Sequence, residues 1–167
     1  FFNDTRSTPI SSSLLESYAY LGGAALDKLF SVKGRESLAP MIGKEGNWDG
    51  GISLAEAEAL LRSFLPRALR RNVPEERIRS ILANLKGKTG EDLVPALKLE
   101  LKAVLISPAF LYRGFLAKPA ENTGSRAVDA FEFAERLSYF IWEDMPDAQL
   151  FELARRGALG DAVEVGR

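Results

Sequence analysis

With the usual nucleophiles and bases missing, carboxylates are the first side chains to weigh in this sequence. Glu132 and Glu135 lie three residues apart in a helical pattern, a spacing that lets two carboxyls divide acid and base roles when their environments differ. Arg136 follows Glu132 by four, the spacing of a surface ion pair, and that is the plainer expectation. Glu143 and Asp144 fall at a helix end beside Trp142, where burial could raise a carboxyl pKa; a solvated turn is the competing expectation. No D-x-D-x-D-G loop offers oxygen ligands to a hard cation. Lys86-Gly87-Lys88-Thr89 has the ending of a P-loop, but its required first glycine is Leu82 and it follows a helix instead of a strand. Histidine and cysteine are both absent from the 167 residues. That excludes Ser-His-Asp and Cys-His catalysis, zinc sites of His/Cys type, disulfides and c-type haem attachment within this stretch. No residue is singled out as catalytic, cofactor-binding or metal-binding.

Charge is balanced overall, 22 Lys plus Arg against 23 Asp plus Glu, so nothing global attracts nucleic acid or an anionic membrane. Locally it is not balanced. Residues 62–79 hold six arginines against two glutamates, and residues 129–164 hold nine acidic side chains against three arginines. Three readings compete: the lobes pair with each other, the basic lobe binds an anion or an acidic partner, or both are solvated faces. Arg67, Arg70 and Arg71, with Arg113 further on, are the candidate partner contacts.

The elements that must position these residues read as helices throughout. Serines 11–13 can cap a helix bearing Leu14, Leu15, Tyr18, Leu21, Leu26 and Leu29, whose Gly22-Gly23 implies close packing on a neighbour. A long irregular connection near 31–52 follows, anchored by Trp48. Ser53-Leu54-Ala55-Glu56 is a capping box, and Pro66 kinks or breaks the helix it opens. Pro74-Glu75-Glu76 starts the next helix, and Thr89 with Asp92 can cap another whose apolar stripe is Leu93, Leu97, Leu101, Val104 and Leu105, widened by Leu99 and Ile106. Ser107-Pro108 restarts the chain for a short turn, and residues 118–126 form a loop. Asp129 caps a helix with Leu137, Phe140 and Ile141 in its buried stripe, and Met145-Pro146-Asp147 opens a last one ended by Gly157. The fold class is all-α, a bundle of about six or seven helices. No apolar run approaches the roughly 18 residues of a membrane span, and the opening at Phe1 suggests a piece of a longer protein.

Phe64-Leu65-Pro66-Arg67-Ala68-Leu69-Arg70-Arg71-Asn72-Val73-Pro74-Glu75-Glu76, with Leu105-Ile106-Ser107-Pro108-Ala109-Phe110-Leu111-Tyr112-Arg113, resembles the domain of unknown function 1595. Phe131-Glu132-Phe133-Ala134-Glu135-Arg136-Leu137-Ser138-Tyr139-Phe140-Ile141-Trp142-Glu143-Asp144-Met145-Pro146-Asp147 resembles the opening of the domain of unknown function 1592. Residues 1–18 are similar to the end of domain 1587, so the expected divisions are 1–52, 53–117 and 127–167. The resemblance implies large exported proteins of planctomycetes and myxobacteria, linked to cytochrome c-like segments. It thus implies a periplasmic or other extracytoplasmic setting, with haem c elsewhere in the full-length protein or complex. The chain departs from the family at Asn72 and at Ala109, where a His is common. The function expected is a non-catalytic structural and interaction module contacting other domains or subunits of the same protein, with no nucleic acid. The alternatives are part of an enzyme acting on polymeric or carbohydrate material through carboxylates, and an assembly subunit of a large complex.

Overall fold

Ser11 accepts the Leu14 amide at 3.2 Å and so starts helix α1, Ser12–Leu29, as its spacing predicts. The computed structural model describes residues 10–44, 51–112 and 128–160; residues 1–9, Trp48, the 118–126 loop and Arg113 lie outside the described residues. Eight α-helices and no strand occur among the described residues. None is long and apolar enough to cross a membrane.

The stretch after α1 is more ordered than its glycines and proline suggest. A 3₁₀ turn at Val32–Gly34, helix α2 at Arg35–Leu38 and a second 3₁₀ turn at Ala39–Ile42 follow one another, and bury Leu38 and Ile42. Lys44 pairs with Glu56 at 3.1 Å, tying this segment to the start of helix α3, Leu54–Leu69. There the capping box forms: Ser53 Oγ accepts the Glu56 amide, and Glu56 accepts the Ser53 amide at 2.7 Å. α3 runs through Pro66 to Leu69 without breaking, although the proline has no amide to donate to the Arg62 carbonyl one turn back.

Helix α4, Glu75–Leu85, is bound to α3 by Arg62, which donates to both Glu58 and Glu75. A 3₁₀ turn at Gly90–Asp92 leads into helix α5, Leu93–Leu105; Thr89 supplies no side-chain cap there, since the turn stands between it and the helix. Helix α6 is the four-residue Pro108–Leu111. Leu38, Leu60, Leu61, Leu65, Leu85, Leu93, Leu97 and Leu101 are the fully buried heart of the core shared by α1 to α6. Leu99 is 68% exposed and does not widen the stripe of α5.

Helices α7, Ala130–Trp142, and α8, Ala148–Arg156, form a hairpin with a smaller core of Ala134, Leu150, Leu153, Ala154 and Leu159. Asp129 and Asp147 cap the two helices, and Gly157 ends the second in the left-handed region. The buried stripe expected on α7 is only partly realised: Leu137 packs on the hairpin core, while Phe140 is 87% and Ile141 60% exposed. α7 turns Glu132, Glu135 and Ser138 inward instead.

α1 lies antiparallel on α5, with Gly22 against Leu105, Gly23 against Lys102 and Asp27 paired with Lys98. α5 ends opposite Gly22, so the first half of α1 runs past its partner, and Leu14, Leu15, Tyr18 and Leu21 are exposed there. The glycine pair does not need to be glycine: a Cβ on Gly22 meets Leu105 at an ordinary 3.6 Å. Gly34 is different, since a Cβ there lies 2.2 Å from the carbonyl oxygens of Lys28 and Leu29 at the end of α1. Gly22→Ala is therefore expected to raise stability by up to about 1 kcal/mol through helix propensity. Gly34→Ala is expected to lower it by about 1–3 kcal/mol, the cost of forcing backbone apart. Denaturant unfolding of both variants measures the signs, and the same sign for both contradicts this packing.

Candidate functional site at the seam between α3 and the α7–α8 hairpin

α3 ends at Arg70, which adopts a left-handed conformation at φ 54° and ψ 31°. A residue with a Cβ pays about 1–2 kcal/mol for that geometry, and glycine is the usual occupant. The side chain explains the exception. From this corner the guanidinium, 8% exposed, reaches the end of α6, where Nη2 donates to the carbonyls of Ala109 (3.3 Å), Phe110 (3.1 Å) and Tyr112 (3.3 Å). Nη1 donates to Phe110 as well at 3.2 Å. A helix end leaves such carbonyls without partners of their own, and a cation there complements the helix dipole. On its other edge, Nε stands 2.7 Å from Glu135 Oε1 of α7.

The next residue repeats the connection. Arg71 donates to Asp129 Oδ2 at 3.0 Å, while Asp129 Oδ1 caps α7 through the Glu132 amide. Partial burial pushes the Asp129 carboxyl up, but the Glu132 amide and Arg71 together outweigh it and hold its pKa below the ordinary value. Glu132 is buried beside the exposed Arg136, 2.5 Å away, so the i,i+4 pair exists with its carboxylate inside the seam and not on the surface.

The two charged lobes thus pair with each other. Arg70 and Arg71 are consumed within the chain, and their neighbours in the basic lobe are neutralised locally, Arg62 by Glu58 and Glu75 and Arg79 by Glu76. Glu75 foremost holds the Arg62 guanidinium firmly in its charged form. Arg67 and Arg77 have no ion-pair partner among the described residues, and Arg67 is the more exposed of the two. It faces a cavity of about 660 Å³ between the end of α3 and the α7–α8 turn, walled by Trp142, Met145, Pro146 and Phe151. Phe151 is itself held by a tilted ring contact with Phe131 at 5.3 Å.

Glu143 and Asp144 both lie on the exposed turn at this cavity's side of the hairpin. Glu143 ends α7 in the left-handed region, and Asp144 Oδ1 accepts the Met145 amide at 2.7 Å. Glu132 and Glu135 face arginines. Among the described residues no group of three or more acidic side chains is placed to hold a metal ion. The Lys86-Gly87-Lys88 stretch is the turn after α4, with Gly87 left-handed at φ 80°. Sequence reasoning missed the cavity, because its walls come from helices about 75 residues apart in the chain; the signal available was Trp142 beside a Met-Pro-Asp turn.

Because the Asp129 pKa is depressed by folding, its contribution to stability is present above its unfolded value, about 3.9, and is lost as pH falls through the folded value. Asp129→Asn keeps an N-cap while removing the charge. The variant is expected to be less stable than the parent at pH 7, and the difference is expected to shrink toward about pH 2. Urea unfolding across that range measures it; a difference independent of pH contradicts the charge pairing.

Residues 56–114 match the family model PSD5, described as a protein of unknown function (DUF1595). Residues 128–167 match PSD4, described as a protein of unknown function (DUF1592). No curated protein and no solved structure matches the chain. Arg70 and Arg71 belong to the first matched segment, Asp129 and Glu135 to the second, so a stretch that matches the DUF1595 model and one that matches the DUF1592 model follow in that order and are joined by these ion pairs.

Proposed function

We propose that these residues form a non-catalytic helical module, structural and interactive, within a larger exported protein associated with electron transfer. The observation that supports this reading is the consumption of charge at the seam. Arg70, Arg71, Asp129, Glu132 and Glu135 hold helices together, so Glu132 and Glu135 are not free to divide acid and base roles. The enzyme reading would have to rest on Glu143, Asp144 and Asp147, which sit on the exposed turn between α7 and α8. The exposed Phe140 and Ile141 are available to a neighbouring domain or subunit.

The extracytoplasmic setting, a 1587-like segment ahead of the DUF1595 match and the link to haem rest on the family resemblance. These residues do not suit covalent haem themselves. The chain has no His and no Cys, and of its two methionines Met41 packs against the main core and Met145 lines the cavity. In this reading haem c belongs to another part of the full-length protein or its complex, and the module supplies contact surface.

Visible absorption of the intact protein or its complex, purified from its native source, tests the assignment. A c-type haem spectrum in the intact assembly, together with none in the 167-residue segment alone, is the expected result. The absence of any haem band in the assembly removes the electron-transfer association.

A further inference from the structure

We infer that the cavity between Arg67 and the α7–α8 turn is a binding site for a neutral, polyhydroxylated ligand, a sugar residue of an oligosaccharide or polysaccharide chain. At about 660 Å³ the cavity falls in the range of small-molecule sites, roughly 300–1,000 Å³. Its lining sets the chemistry. Trp142, 42% exposed, and Met145, 38% exposed, offer a broad apolar surface continued by Pro146 and Phe151. The indole N–H of Trp142 is directed to the Met145 carbonyl at 3.4 Å, so the polar edge of that ring is occupied within the chain.

The polar groups around this surface carry both signs. Arg67 and Arg70 come from the end of α3, Arg70 already turned to Glu135 and the α6 carbonyls, and Asp144 and Asp147 come from the opposite wall. The two aspartates each spend Oδ1 on a backbone amide, of Met145 and of Leu150, and no ion pair joins either to Arg67. Glu152 is already held by Arg155 through both oxygens. An anionic ligand drawn to Arg67 meets two carboxylates, and a cationic ligand drawn to the carboxylates meets Arg67. A purely apolar ligand strips water from all three charges without replacing their hydrogen bonds. A sugar ring meets every demand at once: its C–H face packs on the aromatic wall, its hydroxyl hydrogens go to the spare aspartate oxygens, and its hydroxyl oxygens accept from the guanidinium.

The inference deepens the reading as an interaction module and rests on it only in expecting binding without cleavage. Its test is titration of the 167-residue chain with maltohexaose, cellohexaose and chitohexaose, followed by ¹⁵N–¹H NMR at the Trp142 indole and the Ala148 amide. At least one hexasaccharide is expected to shift both signals saturably below about 10 mM. Trp142→Ala, read at Ala148, is expected to weaken that binding at least tenfold. Arg67→Met, on an exposed side chain whose loss leaves the core untouched, is expected to weaken it several-fold. No shift with any of the three sugars, or shifts that survive both substitutions unchanged, overturns the assignment. A saturable response to acetate or to tetramethylammonium but not to the sugars overturns it too. Cleavage of a bound hexasaccharide supports the site while overturning the non-catalytic reading, so the two ideas fail separately.

Discussion

One buried guanidinium holds the structure's two parts in register. Arg70 ends α3, closes the carbonyl end of α6 and opposes Glu135 on α7, so three elements converge on a single planar donor set. The arrangement depends on arginine chemistry: its planar fork donates to three carbonyls while its charge stands against a carboxylate, a combination lysine's single ammonium does not match. The surrounding burial makes the contact costly to break. A carboxylate as enclosed as Glu135 is tolerated because a cation stands against it, and removing either member leaves a buried charge without its counter-ion.

The rest of the seam follows from that constraint. With Glu135 directed at Arg70, α7 must present its Glu132, Glu135 and Ser138 edge inward, and Phe140 and Ile141 are left facing out. Arg71 and Asp129 fix the near end of the same helix. Among the described residues the hairpin shares no apolar core with α1 to α6, and the contacts that join them there are these ion pairs. The cavity is a consequence: the charged contacts hold the α7–α8 turn beside the end of α3 without filling the space between Arg67 and Trp142.

Local rules in the sequence foretell much of this and miss its centre. Ser11, Ser53, Asp129, Asp147 and Gly157 act at helix ends as their types predict, because a cap needs only the next three or four residues. The core leucines of α5 are legible for the same reason, being spaced by a helical turn. Leu99, Phe140 and Ile141 obey the same periodicity yet lie exposed, since periodicity marks an apolar face without saying whether a partner covers it. The carbonyls at the end of α6 are bonded by Arg70. That contact spans about 40 residues and turns on a left-handed backbone at a non-glycine position, which no spacing rule announces. Charge segregation between residues 62–79 and 129–164 was the one visible trace of it.

The most direct test of the seam is a double-mutant cycle on Arg70 and Glu135, with unfolding free energies measured for Arg70→Gly, Glu135→Gln and the pair. Glycine removes the side chain without adding strain at the left-handed position, and its conformational effects cancel around the cycle. A coupling energy of about 1.5 kcal/mol or more is predicted for a buried pair that orders two parts of the chain. Additivity within about 0.5 kcal/mol would show that the two groups do not hold α3 and α7 together.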